Sequence, residues 1–408
     1  MKLSIASIAL LAASTSAAAV DFWGNGPRTA PIFVTLSRVS GTKVRAAVTN
    51  RDDVEYNLFV RGTFLDEVPI NKFHVRNKSS NAKFAGIFQR LSYDNPSPDS
   101  FRAIHAGETL AIEVELAELY DLDVDGPYDI STAGRIYYAE ANSTELTGKA
   151  MTFNSNRLSF KVDSFQAKMH SKAVDKIAKR TELQSDCTNN KLEAIQTALS
   201  NCQMLAKNAA ADASSNETSR FNEYFKTTDE STRNTVVERL EAVAADCNTT
   251  ASGPTRTYCT DVYNGCASNV LAYTLPAYNY IAYCPLFFDN LPALTDTCHN
   301  QDQATTVLHE ETHAPDVYAP GTLDNAYGYD AAMDLSTDAA VNNADTYALY
   351  ANGMFPSFFQ TPKNQVLTII PSCLLRLLIG TLIVLLLLLM LHDTLYDKHC
   401  SAFWGLHR

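Results

Sequence analysis

Cysteine is absent from the first part of the chain, residues 1–180. All nine cysteines of the 408-residue sequence lie at or after Cys187, which excludes a disulfide framework for the first part. Basic residues are scarce in the second part, where residues 181–352 hold 7 Lys and Arg against 23 Asp and Glu. This balance disfavours direct binding to nucleic acid and favours cationic polypeptides as partners. Acidity that serves only solubility is the alternative.

Residues 1–19 have the pattern of a secretory signal. Lys2 supplies the positive start, residues 5–13 form a short apolar core, and Ala17–Ala19 fits a small-residue cleavage site. We therefore expect a secreted, extracellular protein whose cysteines form disulfides.

Residues 20–180 alternate apolar and polar side chains, which predicts β-strands separated by turns. We expect an all-β, sandwich-like domain without a catalytic constellation. The predicted strands are Ile32–Leu36, Val44–Val48, Tyr56–Val60, Leu110–Leu116 and Leu158–Val162.

The pair Lys179-Arg180 ends this domain at a break in composition. An exposed pair of basic residues is suited to a dibasic-cleaving processing protease of the secretory pathway. We therefore interpret residues 20–180 as a propeptide that is removed by cleavage after Arg180. An ordinary basic pair in a linker is the alternative.

Residues 181–352 are predicted to be mainly helical. Helical spacing marks residues 191–207, 231–245 and 301–313, the last ended by Pro315, and a final helix is expected over 337–350. The segment 258–285 is rich in Tyr, Cys and Pro, and we expect irregular structure or a short hairpin there.

The segment His309-Glu310-Glu311-Thr312-His313 reads H-E-x-x-H. On a helix, His309 and His313 share one face and can hold one Zn²⁺, while Glu310 can act as a general base on water. Asp324 follows at short range as a candidate third ligand, and Tyr327 is a candidate hydrogen-bond donor to the oxyanion. A packed core tyrosine is the alternative for Tyr327.

The H-E-x-x-H segment, followed by G-T-x-D-x-x-Y-G at 321–328, resembles the aspzincins, and among them the fungal deuterolysins. The resemblance runs from about 181 to 352 and includes residues 224–229, 269–275 and 342–352. It implies an α+β zincin with the H-E-x-x-H helix at its centre. It also implies endopeptidase activity, a propeptide that assists folding and restrains activity, and a preference for basic proteins such as histones and protamines.

The resemblance implies roles for individual residues as well. It makes His309, His313 and Asp324 the zinc ligands and Glu310 the catalytic base, with Asp345 as a weaker competitor for the third ligand position. It suggests the disulfides Cys187–Cys259 and Cys266–Cys284, leaves Cys202 and Cys247 as a pair by elimination, and assigns Cys298 a partner at the end of the chain.

Residues 353–408 form an anomalous hydrophobic tail. Leu374–Leu391 is apolar apart from Arg376, and its length is marginal for a membrane helix. A tail that arises from a gene-model error is favoured over a real membrane anchor, which would make the protein a membrane-tethered protease.

A secreted zinc-binding protein without turnover is a further alternative, but structural zinc sites usually have four protein ligands and no fourth is evident.

Overall fold

The computed structural model describes residues 31–171, 183–215 and 218–359. The signal, the Lys179-Arg180 pair and the segment 374–391 lie outside these ranges. Within them the first part is β-rich, as predicted. Its strands are β1 (Ile32–Ser40), β2 (Lys43–Asn50), β3 (Tyr56–Phe59), β4 (His74–Arg76), β5 (Phe88–Leu91), β6 (Phe101–Ile104), β7 (Thr109–Glu115), β8 (Gly126–Ser131), β9 (Ala133–Glu140), β10 (Leu146–Asn154) and β11 (Leu158–Val162), and its helices are α1 (Leu116–Leu119) and α2 (Ser164–His170).

Three antiparallel sheets surround one apolar core in the first part. Their strand orders are β1-β2-β7, β10-β9-β3-β6 and β11-β8-β4. Strand β2 shows why they form, because Val44, Ala46 and Val48 are fully buried while Arg45 between them is exposed. The sequence predicted one sandwich, and the structure divides the strands into three smaller sheets. Alternation fixes which face of a strand is buried, whereas the pairing partner depends on non-local packing.

The second part is built on helices, as predicted. They are α3 (Asn189–Ser214), α4 (Ser219–Phe225), α5 (Glu230–Cys247), α6 (Pro285–Asn290), α7 (Gln303–His313), α8 (Tyr329–Met333), α9 (Thr337–Val341) and α10 (Ala344–Phe359). Helices α3 and α5 pack against each other, and both contact α7. Ala198, Ala206 and Ala209 are fully buried on α3, and their small side chains allow neighbouring helices to approach closely. The H-E-x-x-H helix therefore lies at the centre of a helical layer.

Three disulfides join six of the described cysteines in the expected pairs: Cys187–Cys259, Cys202–Cys247 and Cys266–Cys284. The second of them links α3 to α5. Cys298 is disulfide-bonded as well, while Cys373 and Cys400 lie outside the described residues.

A fourth sheet covers one side of the helical layer. Strands β13 (Val270–Leu275) and β14 (Tyr280–Tyr283) form the hairpin that the sequence allowed at 258–285, and β12 (Arg256–Tyr258) pairs in parallel with β14. All six residues of β13 are buried. The fourth strand is β5, which comes from the first part of the chain and pairs antiparallel with β13. The sequence did not predict this pairing.

The prediction of one final helix over 337–350 is wrong. Helix α9 ends at Val341, and α10 begins at Ala344 and continues to Phe359. The break occurs at Asn342-Asn343, whose polar groups are used elsewhere: the carbonyl of Asn342 accepts the N–H of Leu323 at 3.0 Å, and the side chain of Asn343 accepts the N–H of Asn325 at 2.8 Å. No helix in the described ranges has the length and apolarity that a bilayer crossing requires.

Candidate metal centre

Helix α7 carries the H-E-x-x-H segment, and every one of its residues is buried. A capping box starts the helix. The Asp302 carboxylate accepts the N–H of Thr305 at 2.7 Å, and the Thr305 hydroxyl lies 3.3 Å from the N–H of Asp302. The helix ends at His313, two residues before Pro315, as the sequence predicted. Its position is fixed by packing against α3, α5, α10, β13 and β5.

The two histidines of α7 present their Nε2 atoms to one point. Their spacing of four residues puts both rings on one helix face, and the Nε2 atoms are 3.2 Å apart. Nδ1 of His313 lies 2.9 Å from the carbonyl of Thr322, and an oxygen that accepts the Nδ1 proton leaves the Nε2 lone pair available for a metal ion. Nδ1 of His309 lies 3.3 Å from Oδ1 of Asp345 and 3.0 Å from the guanidinium of Arg90, which can only donate.

A tight reversal of the chain after α7 brings Asp324 to the histidines. A Cβ at Gly321 would collide with the carbonyl of His313, so this close approach requires glycine. The N–H of Thr322 then donates to the carbonyl of Thr312 at 2.9 Å. Two residues further on, Oδ1 of Asp324 lies 3.2 Å from Nε2 of His309 and 3.3 Å from Nε2 of His313.

These three side chains have the chemistry and spacing of a zinc site. Among the described residues, His309, His313 and Asp324 form a group whose ligand atoms all lie within 4.8 Å of one another. Oδ1 of Asp324 is buried without a hydrogen-bond partner. Tetrahedral Zn²⁺ with bonds of 2.0–2.2 Å places its ligand atoms about 3.3–3.5 Å apart. The observed separations of 3.2–3.3 Å therefore fit this metal.

The electrostatics favour metal-binding protonation states at two of the three residues, His309 and Asp324. Burial alone would lower the pKa of His313, but the Asp324 carboxylate outweighs burial and raises that pKa, so metal binding at His313 competes with a proton. Burial lowers the pKa of His309 to about 3, and the nearby charge of Arg90 acts in the same direction, so the ring is neutral at neutral pH. Burial alone would raise the pKa of Asp324, but the two imidazoles outweigh it and hold that pKa below its usual range. A neutral imidazole and an ionised carboxylate are the forms that bind a metal ion.

Glu310 lies on the same helix and is fully buried. Its Oε2 accepts a hydrogen bond from the hydroxyl of Thr274 on β13 at 2.7 Å, while Oε1 has no partner. Burial raises the pKa of Glu310 to about 8. The sequence did not point to Thr274, because a single threonine in a buried strand carries no signal of its own.

The two remaining candidates, Asp345 as an alternative zinc ligand and Tyr327 as a donor to the oxyanion, lie in different places around the site. Asp345 lies at the Nδ1 edge of His309, away from the Nε2 atoms, and its Oδ2 accepts the N–H of Gly328 at 2.5 Å. The hydroxyl of Tyr327 donates to the carbonyl of Gln89 at 2.7 Å. The neighbouring Tyr329 donates its hydroxyl to Glu223 on α4.

Strand β5 brings three residues of the first part of the chain to this group. The Phe88 ring stacks on His313 with centroids 4.6 Å apart, and the N–H of Gln89 donates to Oδ2 of Asp324 at 3.1 Å. Arg90 is ion-paired with Asp345 and lies 3.0 Å from Nδ1 of His309. The short segment 88–91 carries no motif, so sequence reasoning missed it.

Comparison with known protein families matches residues 1–362 to the deuterolysin metalloprotease (M35) family. The chain belongs to this family. The match extends beyond the range 181–352, where the sequence motifs are concentrated, and takes in the first part of the chain. Motifs with recognisable chemistry cluster at the metal centre, whereas the first part shows only the alternation of strands. The limits of the family resemblance were therefore predicted too narrowly.

Curated relatives agree with the family match. A neutral protease 2 homologue from Phaeosphaeria nodorum is 48% identical over 350 residues, covering 85% of this chain and 97% of the relative. Neutral protease 2 from Aspergillus oryzae is 41% identical over 355 residues, covering 87% and 99%. Among solved structures, a zinc peptidase from Grifola frondosa aligns with 24% identity and a TM-score of 0.34, over 41% of this chain and 97% of that chain.

Family membership makes the chain a zinc metalloendopeptidase that acts on proteins or peptides. The alternative of a zinc-binding protein without turnover is therefore wrong.

The positions of the two aspartates predict different effects on metal binding. Asp324→Ala removes the oxygen that faces both Nε2 atoms, and we expect this variant to be isolated with little zinc. Asp345→Ala removes a group at the far edge of His309, and we expect it to retain zinc with an affinity reduced by about 10–100-fold. Zinc content by mass spectrometry and a competition titration with a chelator measure both effects. The reverse order would move the third ligand to Asp345.

Proposed function

We propose that His309, His313 and Asp324 hold the catalytic Zn²⁺ and that Glu310 is the general base of peptide-bond hydrolysis. The observation that carries the proposal is the convergence of two Nε2 atoms and one carboxylate oxygen within 3.3 Å of one another. A bound zinc ion supplies Lewis-acid activation of water and of the scissile carbonyl.

Glu310 transfers the protons in this proposal as a carboxylate. Burial alone favours its protonated form, and the positive charge of a bound zinc ion would favour the carboxylate. Thr274 holds Oε2 by a hydrogen bond, which leaves Oε1 without a partner and able to accept a proton from water. The same oxygen then returns the proton to the leaving amine. The hydroxyl of Tyr327 donates to the carbonyl of Gln89 on β5, and we assign this hydroxyl a hydrogen bond to the oxyanion once that carbonyl is displaced.

Glu310→Gln tests the assignment of the base. The amide has nearly the same shape and cannot accept the proton, so we expect kcat to fall by about 10²–10⁴-fold with zinc content unchanged. Peptidase assays and metal analysis on the same sample measure both quantities.

Glu311→Gln is the matched control for Glu310→Gln. Burial raises the pKa of Glu311 well above its usual value, with Asp246 acting in the same direction, which favours the uncharged acid that the amide resembles. We expect this variant to stay close to wild-type activity. A Glu310→Gln enzyme with wild-type kcat would remove Glu310 from the role of base.

We further propose that basic proteins such as histones and protamines are favoured substrates. The excess of acidic residues over 181–352 creates a negative field that attracts cationic chains. Asp345 also places a carboxylate beside the metal centre, where it binds the guanidinium of Arg90.

Salt dependence tests this preference. The kcat/KM for protamine should fall by about tenfold or more between about 0.05 and 0.5 M salt, because salt screens long-range attraction. An uncharged peptide substrate serves as the control and should change little. Equal salt dependence for both substrates would contradict electrostatic selection.

We also propose that the protein is secreted as a zymogen, with residues 20–180 as propeptide and 181–352 as the catalytic domain. The support is the signal pattern at 1–19 and the Lys179-Arg180 pair between the two parts.

Terminal sequencing of the active, secreted enzyme tests this processing. Its sequence should begin Thr181-Glu182-Leu183, and a Lys179→Ala/Arg180→Ala variant should remain uncut and inactive. Full activity of that uncut variant, or a different N-terminus, would contradict the zymogen proposal.

A further inference from the structure

Strand β5 occupies an edge of the catalytic sheet that would otherwise be open. The sheet order β12-β14-β13-β5 places β13 at the edge once β5 is removed. Strand β13 lies directly against the metal centre, since its Thr274 binds Glu310. Because β5 belongs to residues 20–180, the proposed propeptide supplies a strand to the protease.

The backbone of Gln89 binds two groups of the proposed catalytic site. Its N–H donates to Oδ2 of Asp324 at 3.1 Å, and its carbonyl accepts the hydroxyl of Tyr327 at 2.7 Å. Tyr327 is the residue assigned to the oxyanion. An extended segment that pairs with an edge strand and engages these groups through its main chain is bound in the manner of a peptide ligand.

Alternate side chains of β5 project to opposite faces, as the strand period requires. Phe88 and Arg90 face α7, where Phe88 stacks on His313 and Arg90 reaches Asp345 and His309. Gln89 faces the other way, and its Nε2 donates to the carbonyl of Gly265 at 3.2 Å. The face toward the metal centre therefore presents one aromatic and one basic side chain.

Arg90 is the charged anchor of the strand. Its side chain is only 3% exposed, as is that of Asp345. Both the guanidinium and Nδ1 of His309 approach Oδ1 of Asp345, so they compete for the oxygen that orients the His309 ring. Removal of one partner of such a buried ion pair is strongly destabilising, because the other charge is left buried without compensation.

We infer that residues Phe88–Leu91 act as a built-in substrate mimic that closes the catalytic groove in the uncut chain, with Arg90 in the position of a basic substrate side chain bound by Asp345. The inference rests on the proposed catalytic site. It gives the proposed propeptide a defined inhibitory element.

Binding of a fluorescent peptide hydroxamate to the zinc-loaded chain tests the inference. Uncut protein is prepared in the Lys179→Ala/Arg180→Ala background, and its integrity is checked by intact mass. We expect the probe to bind at least about tenfold more weakly to this protein than to the processed enzyme. Arg90→Met keeps an apolar stem but removes the charge, and it should recover at least about tenfold in probe affinity.

Arg45→Met is the matched control, because Arg45 is also a strand arginine in an ion pair, here with Glu113 at 2.7 Å, but is exposed and lies in the sheet β1-β2-β7. Its probe affinity should equal that of the uncut parent. Phe88→Ala provides a second opening variant if Arg90→Met does not fold. Equal probe affinity of the uncut parent and the processed enzyme would overturn the inference. Zinc content is measured on every sample. Absence of zinc would contradict the proposed metal site, whereas equal probe affinity at full zinc content would contradict only the inhibitory role of β5.

Discussion

The complete burial of α7 is the constraint on which the rest of the structure depends. A buried helix that carries two histidines and two glutamates is costly unless each polar atom has a partner. The surrounding elements supply these partners from several directions: Thr274 from β13, Thr322 and Asp324 from the reversal after α7, and Asp345 from α10. Oε1 of Glu310 and Oδ1 of Asp324, the oxygens assigned to proton transfer and to the metal ion, are among the buried atoms without a hydrogen-bond partner, as is Oε2 of Glu311.

The loop at 321–328 is the support for this arrangement. Its start is fixed by Gly321, where a side chain would meet the end of α7. Its end is fixed by the segment that follows α9: the side chain of Asn343 accepts two backbone N–H groups, and Asp345 accepts that of Gly328. Asp345 thus lies against the His309 ring and also holds the loop that carries Asp324. Its side chain serves both metal geometry and local folding.

The electrostatic state of the centre depends on both parts of the chain. Arg90 adds a buried positive charge beside His309, which contributes to the lowered pKa of that ring and neutralises Asp345. Release of the first part would remove this charge, and the Asp345 carboxylate would then contact Nδ1 of His309 without competition from Arg90. The proposed processing therefore changes the immediate surroundings of the metal ligands as well as access to them.

Local pattern was sufficient to predict the helices at 191–207, 231–245 and 301–313 and the β-structure of the first part, and it singled out His309 and His313, which the structure brings together with Asp324. These features depend on periodicity, on capping and stop residues, and on spacing within one helix, all of which are encoded locally. The break at Asn342-Asn343 escaped prediction because it depends on partners about twenty residues away in the 321–328 loop.

The sequence by itself determined the chemistry of the site: two imidazoles one helical turn apart, a carboxylate between them in sequence, and further carboxylates at short range. The tertiary structure decided which carboxylate meets the Nε2 atoms and which meets Nδ1, because that choice depends on how the chain reverses after α7. It also decided that β5 lies across the centre. Pairing between strands that are about 180 residues apart leaves no local trace, since a strand of only four residues can pair with any edge of suitable shape.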